Sequence, residues 1–303
     1  MITGKSIRTI EALRGVRAGS QVARISSRLG NLSPIDLTAA AVDPRVTYTG
    51  PAHLFWDASG KLATSTANVW PLEYQNGVAV GRHEPEPAIT NWQVLNRANV
   101  ESTNVVKSGD FTLINDTTGA PDGGPIGRIP VAADSYLISQ DLGSVNLIPL
   151  APYNLTAGKW TRLAFAASNT QSGRCRIWLG RNAANGQPAL WLTQGGNLAV
   201  RDWVWSWYAK GSEDGQTFAA GLGQIERENY PYATSPVINE TTAYGQRAAS
   251  AVTVARQPGA NGIVVYFTDG TNKAYSFGTG QSVSLSMAGA HWGTRYISRI
   301  EYR

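Results

Sequence analysis

The apolar residues of this chain fall in short runs, each ended by Gly, Pro, Asn or Asp before a helical face can build up. From Arg45 onward "RVTYTG", "HLFWDASGKLAT", "NVWPLEY" and "GVAVGRHE" alternate or carry aromatics. Ala58-Ser59-Gly60-Lys61 and Gln75-Asn76-Gly77-Val78 stand between them as hairpin-like turns. Further along come "DFTLIND", "SYLISQDLG", "WTRLAFAAS", "RCRIWLG", "LAVRDWVWSWYAKG" and "TFAAGLGQIE", then "GIVVYFTDGTNKAYSFG", in which Asp269-Gly270 separates two aromatic, β-branched runs. With 32 glycines and 15 prolines, long helices are disfavoured, and ten tryptophans with twelve tyrosines suit strands. The expectation is an all-β chain, a β-sandwich or jelly roll.

The sequence divides into four parts. Residues 1–44 form an N-terminal arm, 45–95 a hairpin region ending in the proline-stiffened "EPEPAITN", 96–255 the sandwich, and 256–303 a small C-terminal β unit. The arm holds Lys5, Arg8, Arg14, Arg17, Arg24 and Arg28 against Glu11 alone up to residue 35, a balance of 6 − 1 = +5 that equals the net charge of the whole chain. A basic arm ahead of a neutral body predicts an acidic docking partner for the arm. Its apolar trios, Ile7, Ile10 and Leu13, then Val22, Ile25 and Leu29, fit two short helical faces interrupted by Gly15 and Gly19. Such stripes need a partner or sister chains to cover them.

Sites for chemistry are sparse. Cys175 is the only cysteine and reads as a small strand residue. His53, His83 and His291 lack metal-ligand spacing. His83, Glu84 and Glu86 invite an acid–base reading, but prolines at 85 and 87 hold them extended, so a solvated linker is expected there. Asp116 and Asp122 in "NDTTGAPDGG" offer calcium a weak loop site, and a plain turn is the better expectation. Asp202, Glu213 and Asp214 are the carboxylates a glycosidase reading would use, with nothing to single them out. No nucleophile elbow or phosphate loop occurs, and a non-enzymatic protein is expected. No apolar stretch is long enough to insert in a membrane, and the first residues lack a long apolar leader region, so a chain made and assembled in a cytoplasm is expected.

Trp203, Trp205 and Trp207 alternate in "DWVWSWYAKG" and would share one strand face. That face is expected to be core, with the less apolar Val204, Ser206 and Tyr208 opposite. Sugar-stacking aromatics are expected instead on loops, at Trp92, Tyr136, Tyr153 and Trp191.

Several stretches together resemble a module of tailed-bacteriophage virion proteins. They are "RVTYTG", "HLFWDASGKLATSTANVWPLEYQNG" and "GRHEPEPAITN", the turn "APDG" at Ala120 to Gly123, and "GQIERENYPYATSPVINETTAYGQRAASAVTV". In the last, Gln224, Glu226, Ala233, Thr234, Ser235, Pro236, Arg247, Ala248 and Ala249 keep the family pattern, while Asn239 and Glu240 replace small residues and Gln246 stands where threonine is usual. The resemblance implies a lectin-like jelly roll on a head fibre, decoration protein, tail fibre or tail adaptor. It also implies other virion proteins (capsid, portal or tail) as partners, host-surface glycan as a possible ligand, a homotrimer as assembly and the virion as location. A pure adaptor or cement role and a glycan depolymerase are the alternatives. The extended strip from Tyr230 to Ser250 is expected to cross the sandwich edge, pinned by Arg247 through carbonyls or a carboxylate.

Overall fold

The computed structural model describes residues 32–93, 96–97, 114–116, 119–130, 136–140, 147–149, 153–167, 174–181, 188–195, 203–211, 217–226 and 230–303. All regular structure among them is β, in several antiparallel sheets. The expected turns form as their residues require. Asn76 and Gly77 both take left-handed φ angles of 51° and 78°, the mirror-image turn that matches the twist of the flanking strands Glu73–Gln75 and Val78–Gly81. Gly270, at φ 84°, closes the hairpin between Gly262–Phe267 and Asn272–Ser276.

The ends of the described chain belong together. One sheet runs Ile35–Asp36, Ile297–Tyr302, Gly262–Phe267, Asn272–Ser276, and a second runs Val46–Thr49, Ala251–Ala255, Ser282–Ser284. Both join the first described residues to the last. Their inward positions form one cluster in which Ile35, Leu37, Val46, Tyr48 and Trp70 pack with Val252, Val254, Ile263, Val265 and Ile300. Segments that the sequence assigns to an arm, a hairpin region and a C-terminal unit therefore share sheets and core. The expected arm is corrected at its end: residues 32–44 contain a two-residue strand with Ile35 and Leu37 fully buried, and no helix. Its basic residues, Lys5, Arg8, Arg14, Arg17, Arg24 and Arg28, lie outside the described residues.

The middle of the chain supplies two five-stranded antiparallel sheets. One contains Tyr136–Gln140, Arg174–Arg181, Pro188–Gly195, Leu147–Pro149 and Tyr153–Asn154; the other runs Thr161–Ala167, Trp203–Gly211, Thr217–Glu226, Ile126–Pro130, Ile114–Asp116. The tryptophan strand departs from simple alternation. Trp207 is buried, but so are Val204, Ser206 and Tyr208 of the face expected to be outer, because Leu54, Leu62 and Trp292 pack over Tyr208. Gly223 makes the other contact possible: a Cβ there would strike the Trp207 ring and the Gln93 amide.

Candidate functional site

The segment from Gly81 to Asn91 is extended, as its prolines require, but it is not a solvated linker. Residues 81–87 are all buried. Arg82 pairs backbone to backbone with Ile297 at 3.0 and 2.8 Å and sends its guanidinium to the carbonyls of Trp70, Ala39 and Ala40. Glu84 takes a bidentate contact from Arg295 at 2.7 and 2.9 Å. The neighbouring chain explains the error in the sequence reading. A Pro-rich segment with three charges looks soluble by itself, and only the pairing of distant segments supplies each charge with a buried partner.

Glu86 is the centre of the arrangement. Its carboxylate accepts the Ser235 amide and hydroxyl, both at 2.6 Å, and lies 3.3 Å from Arg247 Nη2 and 3.3 Å from His53 Nδ1. Its own amide donates to Ser250 Oγ at 2.8 Å and its carbonyl accepts the Ser250 amide at 2.9 Å. Arg247 donates to the Ser235 carbonyl at 2.7 Å and to the Ser235 hydroxyl, so the expected pin contacts both a carbonyl and a carboxylate. Burial alone would raise the Glu86 carboxyl, but Arg247, with both histidines, overcomes it and holds the group far below the ordinary carboxylate range. The His83 ring lies 4.6 Å from that of His53, with planes tilted by 40°, and burial, reinforced by that second ring, lowers it to about 4.

The strip from Tyr230 to Ser250 runs beside this centre without a β ladder until Gly245. Buried backbone needs partners wherever it lies. Here side chains of other segments provide them. The amides of Ala233, Thr234, Ser235, Val237 and Asn239 donate in turn to His291 Nδ1 (2.8 Å), Glu226 Oε1 (3.0 Å), Glu86 Oε1 (2.6 Å), Gln224 Oε1 (2.7 Å) and Asn96 Oδ1 (2.9 Å). The Val237 carbonyl accepts from Asn91 Nδ2 at 3.1 Å and Asn96 Nδ2 at 2.7 Å. Burial raises the Glu226 carboxyl against the pull of Gln224 and Thr234. Glu73 sits apart: it is fully buried, accepts only the Trp56 amide at 2.9 Å, and burial drives its carboxyl well above the ordinary value.

Chemically, this assembly is a clamp. Glu86 and Glu226 are sealed against backbone and side-chain donors, so neither presents a free carboxylate to solvent. A groove of about 370 Å³ opens beside it, walled by Pro51, Leu54, Pro236 and Ile238 and bounded by Gln246 and Arg247.

The other expected site residues scatter. Trp92 follows the strand Ile89–Asn91 and packs against Tyr244, ring centroids 4.4 Å apart. Tyr136, Tyr153 and Trp191 lie in strands, not on loops. The register sets Tyr136 opposite Trp178 and Trp178 opposite Trp191, one row across three strands, while Tyr153 stands opposite Leu190. Their aromatic, β-favouring neighbourhoods were the signal for this, outweighed by the assumption that binding residues sit on loops. Asp122, one of the two carboxylates weighed for calcium, has both oxygens held by Arg97 at 3.1 and 2.7 Å. No group of three or more metal-ligating side chains occurs among the described residues. Arg97 also reaches Glu240, and Asn96 meets Asn239. Asn239 and Glu240, two of the positions where the strip departs from the pattern it resembles, are thus matched by two adjacent residues that sequence reasoning did not single out.

Comparison of the chain with protein-family models, curated proteins and solved structures returns no match.

Proposed function

We propose that this chain is a non-catalytic structural protein of a tailed-bacteriophage virion, a fibre, decoration or tail appendage. Its basic N-terminal arm docks on other virion proteins, and its β body carries a surface that binds host glycan. In this reading the two five-stranded sheets form the lectin-like jelly roll, and the protein works as a homotrimer assembled in the host cytoplasm.

One observation carries the proposal. The stretches that carry the resemblance are far apart in sequence, yet their pattern residues meet in one buried network. Glu86 of "GRHEPEPAITN" holds Ser235 and Arg247 of the late strip across 149 and 161 residues, and Gln224 and Glu226 hold Thr234 and Val237 of the same strip. The turn "APDG" reaches the same strip outside that buried network, through Asp122, Arg97 and the exposed Glu240. A set of residues that acts as one clamp is what a recurring structural module has to retain, and the clamp leaves no acid–base pair open to substrate. The depolymerase alternative draws nothing from it, and Asp202, Glu213 and Asp214 lie outside the described residues.

The test is a phage carrying a chain without residues 1–31. The cut belongs ahead of Leu32, because Ile35 pairs with Ile300 inside the core. The shortened protein is expected to fold with an unchanged melting temperature and to be missing from purified particles. Normal incorporation would refute the arm as anchor.

A further inference from the structure

The strand Gly245–Arg247 pairs with Ile89–Asn91 so that Gly245 stands opposite Asn91 and Gln246 opposite Thr90. Continuing that register one step sets Tyr244 opposite Trp92, which accounts for their ring contact, with planes tilted by 47°. Alternation gives this ribbon two faces. Ile89, Asn91 and Arg247 are buried, whereas Gln246 is exposed and Tyr244 is 51% exposed. The large apolar side chains that stand exposed among the described residues are Val69, Val78, Met287 and Tyr244, and only the last is aromatic.

Gln246 joins this outer face to the groove, since it also forms part of the groove's lining. Tyr244 lies two residues back on the same strand face, roughly 7 Å away at strand spacing. A platform and a cleft are therefore neighbours. The walls offer proline and aliphatic C–H surface from Pro51, Leu54, Pro236 and Ile238, and the rim offers an amide. The two basic residues in the lining, His53 and Arg247, are both buried against the Glu86 carboxylate, and the lining has no acidic residue. An anionic ligand would find the guanidinium already compensated, and a cationic ligand would find no carboxylate.

From this we infer that the groove and Tyr244 together bind a neutral glycan. The Tyr244 ring packs on the C–H face of one sugar ring, the Gln246 amide exchanges hydrogen bonds with hydroxyls, and Trp92 positions Tyr244. Tyrosine and tryptophan give large, rigid contact area at little entropic cost, and a polar tip that hydroxyl-rich ligands can use. The groove volume is at the lower end for a small-molecule site and has room for a mono- or disaccharide. Weak single sites of this size act at a cell surface through multivalency. The inference rests on the glycan-binding part of the function proposed above, and names its site.

The full chain should be applied to a printed array of neutral and acidic oligosaccharides, and the strongest hit titrated by tryptophan fluorescence. Neutral glycans are expected to bind. Tyr244→Ala should weaken binding about tenfold or more, the scale of one lost aromatic stack. Gln246→Ala should weaken it several-fold, Tyr244→Phe should retain most of it, and Met287→Ala should change nothing. Binding unaffected by both Tyr244→Ala and Gln246→Ala overturns this site and leaves the glycan reading standing. Silence on the whole array overturns both. Hits confined to acidic glycans, or capture of an extended peptide in place of sugar, overturn the assignment of a neutral ligand.

Discussion

Two buried glutamates should respond in opposite ways to the same isosteric change. Glu86 is ionised, with Arg247 and His53 each 3.3 Å from its carboxylate and two bonds from Ser235 at 2.6 Å. Glu86→Gln keeps the volume and removes the charge. Arg247 is then a buried guanidinium without a counter-ion, and an amide nitrogen points at a donor. Breaking a buried pair from one side costs about 3–5 kcal/mol. Glu73, fully buried, follows the opposite logic. No cation lies within ion-pair distance of it among the described residues, and burial lifts its carboxyl well above the ordinary range, which favours the neutral acid in the folded state. Because the folded value lies above the unfolded one, ionisation at neutral pH favours the unfolded chain, and stability falls as pH rises past the unfolded value near 4.5. Glu73→Gln removes that penalty, and the amide oxygen still accepts the Trp56 N–H. The expected result is no loss, or a gain, at pH 7. Urea unfolding followed by tryptophan fluorescence at pH 7 reads both. With slopes of about 1–3 kcal/mol per molar, Glu86→Gln should lower the midpoint by about 1 M or more. Equal losses in the two variants, or a Glu86→Gln loss below about 1 kcal/mol, would refute the assignment of charge in this interior.

Acid should loosen the clamp in two stages. His83, lowered from 6.5 to about 4 by burial and the facing His53, is bound by more protons when unfolded, so stability declines as pH falls through that window, by about 3 kcal/mol when it is crossed. Below about 4.5 the depressed Glu86 adds a second decline; because Glu73 contributes the opposite slope above 4.5, the His83 decline is read as the difference in urea midpoint between the wild-type chain and His83→Gln, which should shift against the wild-type chain as the pH falls from 7 to 4. Gly223→Ala drives a methyl into the Trp207 ring and should cost about 1–3 kcal/mol in the same assay, whereas Gly60→Ala, with open space but a φ of 77°, should cost only its backbone strain, about 1 kcal/mol. Asn96→Ala leaves the buried Asn239 amide and the Val237 carbonyl short of partners and should cost about 2 kcal/mol or more, seen also as faster hydrogen exchange across 237–239.

The parts legible in the sequence were those set by neighbours along the chain. The all-β class, the Asn76-Gly77 and Asp269-Gly270 turns and the anchoring role of Arg247 follow from local turn chemistry, from alternation, and from the scarcity of other arginines in a polar strip. The parts that failed depend on which distant segments meet. "EPEPAITN" carries two glutamates and two prolines and looks like a linker until Arg295, Ser235 and Arg247 are brought to it from more than 140 residues away. Ile35 looks like the end of a tether until Ile300 pairs with it. Alternation predicted one wet face for the strand Trp203–Gly211, and Tyr208 contradicts it because a hairpin from the first part of the chain lies over that face. Tyr244 was overlooked for a related reason: its significance comes from the register that sets it against Trp92.

The polar character of the late strip has a physical cause that follows from these contacts. Pro231 and Pro236 cannot donate in a ladder, so the strip cannot be completed as an ordinary strand. Its amides are nonetheless buried, and an orphaned one costs about 1–3 kcal/mol. Five of them find side-chain acceptors on five different residues, His291, Glu226, Glu86, Gln224 and Asn96, drawn from the beginning, middle and end of the chain. A β ladder would tolerate a slip of register, since every backbone offers the same groups at the same spacing. A row of distinct side-chain acceptors does not: shifting the strip by one residue brings Pro236 to an acceptor and leaves it with no N–H to bind. The strip is therefore held in a single register, and with it the position of Arg247 under Glu86 and of Tyr244 against Trp92. A clamp of this kind gains its value in specificity of placement more than in net stability, which is the use for which buried ionic groups are best attested.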